Sequence, residues 1–204
     1  MSSSISAREL RQQIRQRRRQ LTDRQRQQAA ETVAERVSSL QLFQSATHMA
    51  AYLAFDGEFD PAPLIDQAVT AGKQIYLPLL FGKTQPMAFA PYRPGDVLQP
   101  NRFGILEPQV PVEQRCSPQQ LDLVITPLVA FDEQGTRMGM GGGFYDRTFE
   151  FLNSPGQLHK PRLLGIAFEL QKTATLIRQP WDVPVDGIVT EAALYPGADG
   201  RLPE

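Results

Sequence analysis

The run Leu121–Phe131 (LDLVITPLVAF) restricts the fold more than any other feature of the chain. It is apolar at both odd and even positions, the pattern of a strand covered on both faces, which in practice means a parallel sheet flanked by other layers. Two further runs fit beside it. Thr47–Phe55 (THMAAYLAF) and Lys73–Leu80 (KQIYLPLL) bracket a helical stretch that Asp60 and Pro61 open as N-cap and first turn and Gly72 stops. Strand, helix and strand make a βαβ unit, which crosses right-handed. Gln85–Tyr92 alternates weakly and reads as an edge strand. Residues 93–119 are rich in Pro, with a turn at 101–104. Leu163–Phe168 and Gly187–Thr190 are later strands, and a helix is predicted over Phe144–Leu152. Before the sheet, a helix is expected over Arg8–Gln20 and a second from the N-cap Thr22 to about Leu40. The expected fold class is α/β: an open, mostly parallel, Rossmann-like three-layer sandwich. Residues 1–204 form one domain, with residues 1–40 as a helical segment packing on it.

Charge is distributed unevenly. Residues 1–37 hold nine arginines and four acidic residues, while the rest holds 12 basic and 18 acidic groups, for a net charge of −1. The cluster Arg15, Arg17, Arg18 and Arg19 therefore has either an external anion or the acidic remainder of the same chain as partner. No aromatic-interleaved basic face accompanies it, so nucleic acid is not the expected partner. No apolar stretch is long enough to span a membrane. The polar start MSSSISAREL lacks a secretory h-region, and Cys116 is the single cysteine, so a cytoplasmic chain is expected. Cys116 lacks a catalytic companion, and His48 and His159 lack metal-ligand spacing and read as structural or exposed. A metal, if used, would be a hard cation on carboxylates.

The chemistry concentrates in Arg137–Arg147 (RMGMGGGFYDR). Gly139, Gly141, Gly142 and Gly143 lie beyond the strongest strand run and before a helix, where open α/β sheets bind ligands. Glycines there let phosphate oxygens reach backbone N–H groups and permit the positive φ that such nests need. Arg137 could add a guanidinium fork for a terminal phosphate, and Asp146 could hold Mg²⁺ against it. The pattern matches neither a Walker loop nor the dinucleotide fingerprint, because no Lys-Ser/Thr pair follows and Phe144 takes the last glycine position. A second acidic mouth, LAFDGEFD, follows the first strand run. Asp56 and Glu58 there could face an amide or pterin-like N–H edge or form a solvated turn. Asp182 and Asp186 could serve a site or a polar turn.

The order LRQQIRQRRRQLT, YLAFDGEFD, IYLPLL, FGILEP, DLVITPLVAFDEQGTRMGMGGGFYDR and WDVPVDGIVT resembles the 5-formyltetrahydrofolate cyclo-ligase family, from about Arg8 to Thr190. The resemblance implies an enzyme that uses ATP and Mg²⁺ to close 5-formyltetrahydrofolate, including polyglutamylated forms, to 5,10-methenyltetrahydrofolate, releasing ADP and phosphate. It implies an ATP site from Arg8, Arg11, Arg137, Met138, Gly139, Met140, Gly141, Gly142, Gly143, Phe144 and Tyr145, with Arg137 and Tyr145 catalytic. Folate would meet Leu53, Glu58 and the stretch Met140–Phe144, and Mg²⁺ would rest on Asp146 and Asp182. The family usually carries Lys or Arg where this chain has Ala7, with Arg8 beside it to substitute. A monomer is expected. A non-catalytic nucleotide- or sugar-phosphate-binding module on the same scaffold is the alternative, and an RNA-binding basic arm is a third.

Overall fold

The computed structural model describes residues 5–154 and 160–203; the expectation for His159 lies outside the described residues. Among the described residues eleven strands, β1–β11, and five α-helices, α1–α5, follow in chain order. The main sheet runs β11-β10-β9-β6-β1-β2-β3. Its members are β1 (His48–Ala50), β2 (Gln74–Leu79), β3 (Ala88–Tyr92), β6 (Leu123–Pro127), β9 (Arg162–Ile166), β10 (Gly187–Val189) and β11 (Leu194–Pro196). The inner pairings are parallel, and β3 and β11 close the two edges antiparallel. The expected fold class therefore holds.

Alternation along the strands divides the core. Met49, Leu123, Ile125, Leu164, Ile166 and Val189 face the layer built by α2 (Asp23–Ser38), α3 (Gln41–Ser45) and α4 (Ala62–Thr70). Ala50, Val124, Leu163 and Ile188 face the other layer, formed by Phe149, Val183, Val185 and the chain around α5 (Phe144–Thr148). Burying each such Leu, Ile or Val contributes about 1.5–3 kcal/mol. Both N-terminal helices, α1 (Ala7–Arg19) and α2, begin with capping boxes, Ser6–Glu9 and Thr22–Gln25, which satisfy otherwise orphaned first-turn amides.

Three expectations shift. The first strand ends at Ala50 rather than Phe55; residues 51–55 run on without strand pairing to a turn where Asp56 and Gly57 adopt positive φ (50° and 70°). The run Leu121–Phe131 is not one strand. It leaves the sheet after Pro127, the Leu128 and Val129 carbonyls accept hydrogen bonds from Gln171 Nε2 (2.7 and 3.0 Å), and β7 (Ala130–Phe131) pairs antiparallel with β8 (Arg137–Met138). The glycine segment thus follows a hairpin, not the central strand itself. Helix α4 starts at Ala62, where Asp60 Oδ1 accepts from the Ala62 amide (3.0 Å); Gly72 (φ 76°) ends it as expected. The β4–β5 hairpin (Leu98–Pro100 with Leu106–Pro108), α3 and β11 are additions the sequence pattern did not reveal.

From β1 the chain crosses to β2 on one side, and β6 then adds on the other. The carboxyl ends of β1 and β6 therefore flank a topological switch point, where ligands gather in open α/β sheets.

Candidate active site

The segment after β1 carries Leu53 and Glu58, and the hairpin after β6 delivers the glycine loop. Helix α1 joins them. Arg11 Nε donates to the Gly139 carbonyl (2.8 Å), and one turn later Arg15 is ion-paired with Asp56. Four residues of helix span about 6 Å, so the two loops approach within a ligand's length under one turn of α1. Arg19 donates to Asp56 Oδ1 (2.7 Å), and Arg26 of α2 donates to the Gly57 carbonyl (3.3 Å). The basic N-terminal segment thus pairs with the acidic mouth of its own chain. These contacts hold the Asp56 carboxyl below its ordinary range, Arg19 contributing most and Arg15 next.

The glycine loop is open to solvent at Gly141 and Gly142, and Met140 is exposed. Gly141 (φ 94°) and Gly143 (φ 63°) take a backbone conformation that L side chains rarely adopt. Arg11 lies directly over this turn: a Cβ added at Gly141 would stand 3.6 Å from its Cζ. Because α5 has only five residues, an anion here would have to rely on the loop's own amides more than on a helix dipole. Arg147 donates to the Gly142 carbonyl (2.7 Å) and lies over the Phe144 ring (5.4 Å), bracing the loop from its far side. Phe144 meets Phe103, from the tip of the β4–β5 hairpin, edge to face at 6.0 Å. Met138 is turned away and packs with Ile14, Val129 and Ala130.

Behind the loop, Arg137 is nearly buried, with its side chain 6% exposed, and donates to Asp146 Oδ1 (2.7 Å) and to the Val183 carbonyl (3.2 Å). Its Nε is buried and finds no partner among the described residues. The Val183 amide also donates to Asp146 Oδ1 (3.2 Å), which brings Asp182 beside Asp146. The Asp182 carboxylate accepts from the Gln179 amide (2.8 Å). Among the described residues no cluster of three His, Cys, Asp or Glu side chains forms. Carboxylates of this kind suit Mg²⁺, which takes hard oxygen ligands and completes its shell with water and substrate phosphate, although here the Asp182 carboxylate is engaged by the Gln179 amide. Asp146 is a suitable donor, since both of its hydrogen bonds fall on Oδ1.

Glu58 is half-buried, and its Oε2 accepts from the Phe55 amide (3.2 Å). Burial raises its carboxyl above the ordinary range, against the Phe55 amide and the Arg18 guanidinium, which favour the charged form. Tyr145, raised by burial and then by Glu58 with Arg137 opposing, stays a phenol that can donate a hydrogen bond. Glu58 disfavours and Arg137 favours the ionised form of Tyr145. Leu53 is half-buried on the same segment. Arg8 stands exposed on the first turn of α1, on the side where Arg11 meets the loop. Arg18, Tyr52 and Phe103 are parts of this neighbourhood that sequence reasoning missed. Arg18 lay inside the basic cluster, where only charge complementarity with LAFDGEFD could have singled it out.

A family model described as the 5-formyltetrahydrofolate cyclo-ligase family matches residues 3–191. The chain is 41% identical over 183 residues to the 5-formyltetrahydrofolate cyclo-ligase of Escherichia coli (strain K12), covering 89% of this chain and 98% of that one. It is 37% identical over 182 residues to the Haemophilus influenzae protein of the same name, covering 89% and 95%. The solved structure of Aquifex aeolicus 5,10-methenyltetrahydrofolate synthetase superposes with a TM-score of 0.79 at 31% identity, covering 98% of this chain and 97% of that one.

Proposed function

The chain belongs to the 5-formyltetrahydrofolate cyclo-ligase family, and from that premise we propose that the cleft under α1 closes 5-formyltetrahydrofolate to 5,10-methenyltetrahydrofolate at the expense of ATP. The observation that supports the reading is the bridge of α1 from Gly139 through Arg11 to Asp56 through Arg15, which brings the glycine loop and the acidic mouth under one helix.

A formyl oxygen is a poor leaving group until it is phosphorylated. In the proposed sequence it attacks the γ-phosphorus; the new O–P bond forms as the bond to the β-phosphate oxygen breaks, and ADP departs. The N10 amine then adds to the activated formyl carbon, loses its proton, and expels phosphate with the old formyl oxygen. Catalysis of this kind is mainly positioning and charge neutralisation. The amides of Gly139, Gly141, Gly142 and Gly143 receive the phosphates, with Arg11 at the loop and Arg8 a turn away. Arg137, through its unpartnered Nε, and Tyr145, through its phenol, stabilise the transferring group. Leu53 packs on the folate and Glu58 accepts from the pterin N–H edge, while Met140 and Phe144 line the junction of the two ligands. Mg²⁺ would be held by Asp146 and Asp182, and when bound it neutralises charge on the phosphates.

Mixing the protein with 5-formyltetrahydrofolate and Mg·ATP tests the reading through the absorbance of the methenyl product. Product that requires ATP and disappears with EDTA, while the fold persists, is the expected result. Nucleotide binding without product would instead mark a non-catalytic module.

A further inference from the structure

Glu107, on β5, is buried (8% exposed) and makes no ion pair among the described residues. A carboxylate so placed is costly unless donors compensate it. Two do, and both reach Oε1: the Leu80 amide, just past the end of β2 (2.9 Å), and Asn101 Nδ2 (2.5 Å). Asn101 opens the tip of the β4–β5 hairpin. Its Oδ1 accepts from the Phe103 and Ile105 amides (2.8 and 3.1 Å), which fixes the turn around Gly104 (φ 77°). Arg102 fastens the same tip from outside, donating to the Phe81 carbonyl (2.7 Å) and lying over the Phe103 ring at 4.9 Å. Phe103 meets Phe144 edge to face. The Phe144 ring lies in turn against Gly142, where an added Cβ would stand 2.9 Å from two of its carbons. An unbroken run of contacts therefore connects the end of β2 to the glycine loop: Leu80, Glu107, Asn101, Phe103, Phe144, Gly142.

We propose that Glu107 is a positioning residue for the glycine loop: through Asn101 it sets Phe103 against Phe144, and Phe144 sets where the Gly142 backbone stands in the cleft. The loop needs such a brace. Gly141 and Gly142 are exposed, and glycine backbone is free to wander unless something holds it. Arg147 grips the Gly142 carbonyl from the far side only. An edge-to-face pair has a preferred geometry, so Phe103 orients the Phe144 ring as well as touching it. The relay asks Glu107 for an acceptor at Oε1, which the amide of glutamine supplies as well as the carboxylate does. An apolar side chain of similar length leaves the Leu80 amide and Asn101 Nδ2 without an acceptor and frees the tip. A small displacement of the loop then slows a reaction that depends on positioning.

The inference rests on the reading of the glycine loop as the phosphate site, and its test keeps the two apart. kcat/KM for ATP, at saturating 5-formyltetrahydrofolate, is measured in wild type, E107L, E107Q, F103L and the double variant E107L/F103L. It is expected to fall about tenfold or more in E107L and in F103L. E107Q, which keeps the acceptor, should restore most of the loss. The double variant should lose no more than F103L alone, because both changes break one path. N101A, which cuts the same path from the hairpin side, replaces E107L if that variant lacks a cooperative unfolding transition. Wild-type kcat/KM in E107L, an equal loss in E107Q, or single losses that multiply in the double variant each overturn the proposal. Should the wild type form no methenyl product, the cyclo-ligase reading fails, and the relay is judged on the ¹⁵N spectrum. Gly142 and Phe144 amide resonances displaced in E107L and restored in E107Q uphold it; resonances unmoved in E107L overturn it.

Discussion

Asp146 carries two tasks at the residue scale. It neutralises Arg137, whose side chain is 6% exposed, and in the proposed function it is also a ligand of the cation. Asp146→Asn keeps the shape and an acceptor for the Val183 amide but removes the charge. Turnover is expected to fall by about 10²-fold or more. Stability should drop by about 1–3 kcal/mol, because a buried guanidinium loses its counter-ion. Stopped-flow product formation and denaturant unfolding check both; full activity would place the cation elsewhere. The structure pairs Arg137 with Asp146; the sequence singled out both as candidates, on either side of the glycine run, along with Glu58 next to Gly57. It concealed Arg18, since a buried arginine and a solvated one look alike in a run of four.

At the scale of elements, α1 and the glycine loop act as one unit. Helix α1 buries only Ile14 and Arg18, so its docking depends on Arg11, Arg15 and Arg19 as much as on apolar packing. Exposed ion pairs contribute about 0.2–1 kcal/mol each. The helix is thus held firmly enough to order both loops and loosely enough to respond to salt. Gly141→Ala tests the loop. A methyl at φ 94° strains the turn by about 1–2 kcal/mol, while it would meet Arg11 only at ordinary contact distance. The KM for ATP should rise about tenfold, equivalent to ~1.4 kcal/mol, with a fall of a few degrees in Tm. Loss of folate affinity alone would contradict the assignment of the loop. The Ser6 cap of α1 was not singled out and α4 begins one residue later than Asp60 and Pro61 suggested, whereas the start of α2 was legible because Thr22 caps where the pattern placed it. The break after Pro127 was not, since what captures Leu128 and Val129 is Gln171, distant in sequence. The edge strand β11 and the β4–β5 hairpin are too short to show a period.

Across the whole molecule, the sheet keeps its chemistry at one end and its structural charges at the other. Asp122, at the start of β6, accepts from the Thr47 and His48 amides (both 2.9 Å) and pairs with Lys160 (3.0 Å), tying β1 to β6 below the switch point. Burial works against its charge, but these donors prevail and lower its pKa from 3.8 to about 2. Its contribution, about 1–2 kcal/mol after solvent screening, is complete above the unfolded value and lost as pH falls through the folded one. The stability gap between wild type and Asp122→Asn should therefore shrink between pH 4 and pH 2; a gap independent of pH would contradict the account. Whole-molecule topology was legible because parallel strands buried on both faces leave few arrangements, and the location of the cleft followed from it. How the two loops meet was not, because it depends on a helix that precedes both. The most direct measurement is a ¹⁵N-NMR titration with a non-hydrolysable ATP analogue and Mg²⁺, followed by 5-formyltetrahydrofolate. The nucleotide should shift the amides of residues 139–143 and the second ligand those of residues 53–58, each tightening the other's binding; shifts confined to other surfaces, or two sites that ignore one another, would contradict a shared cleft.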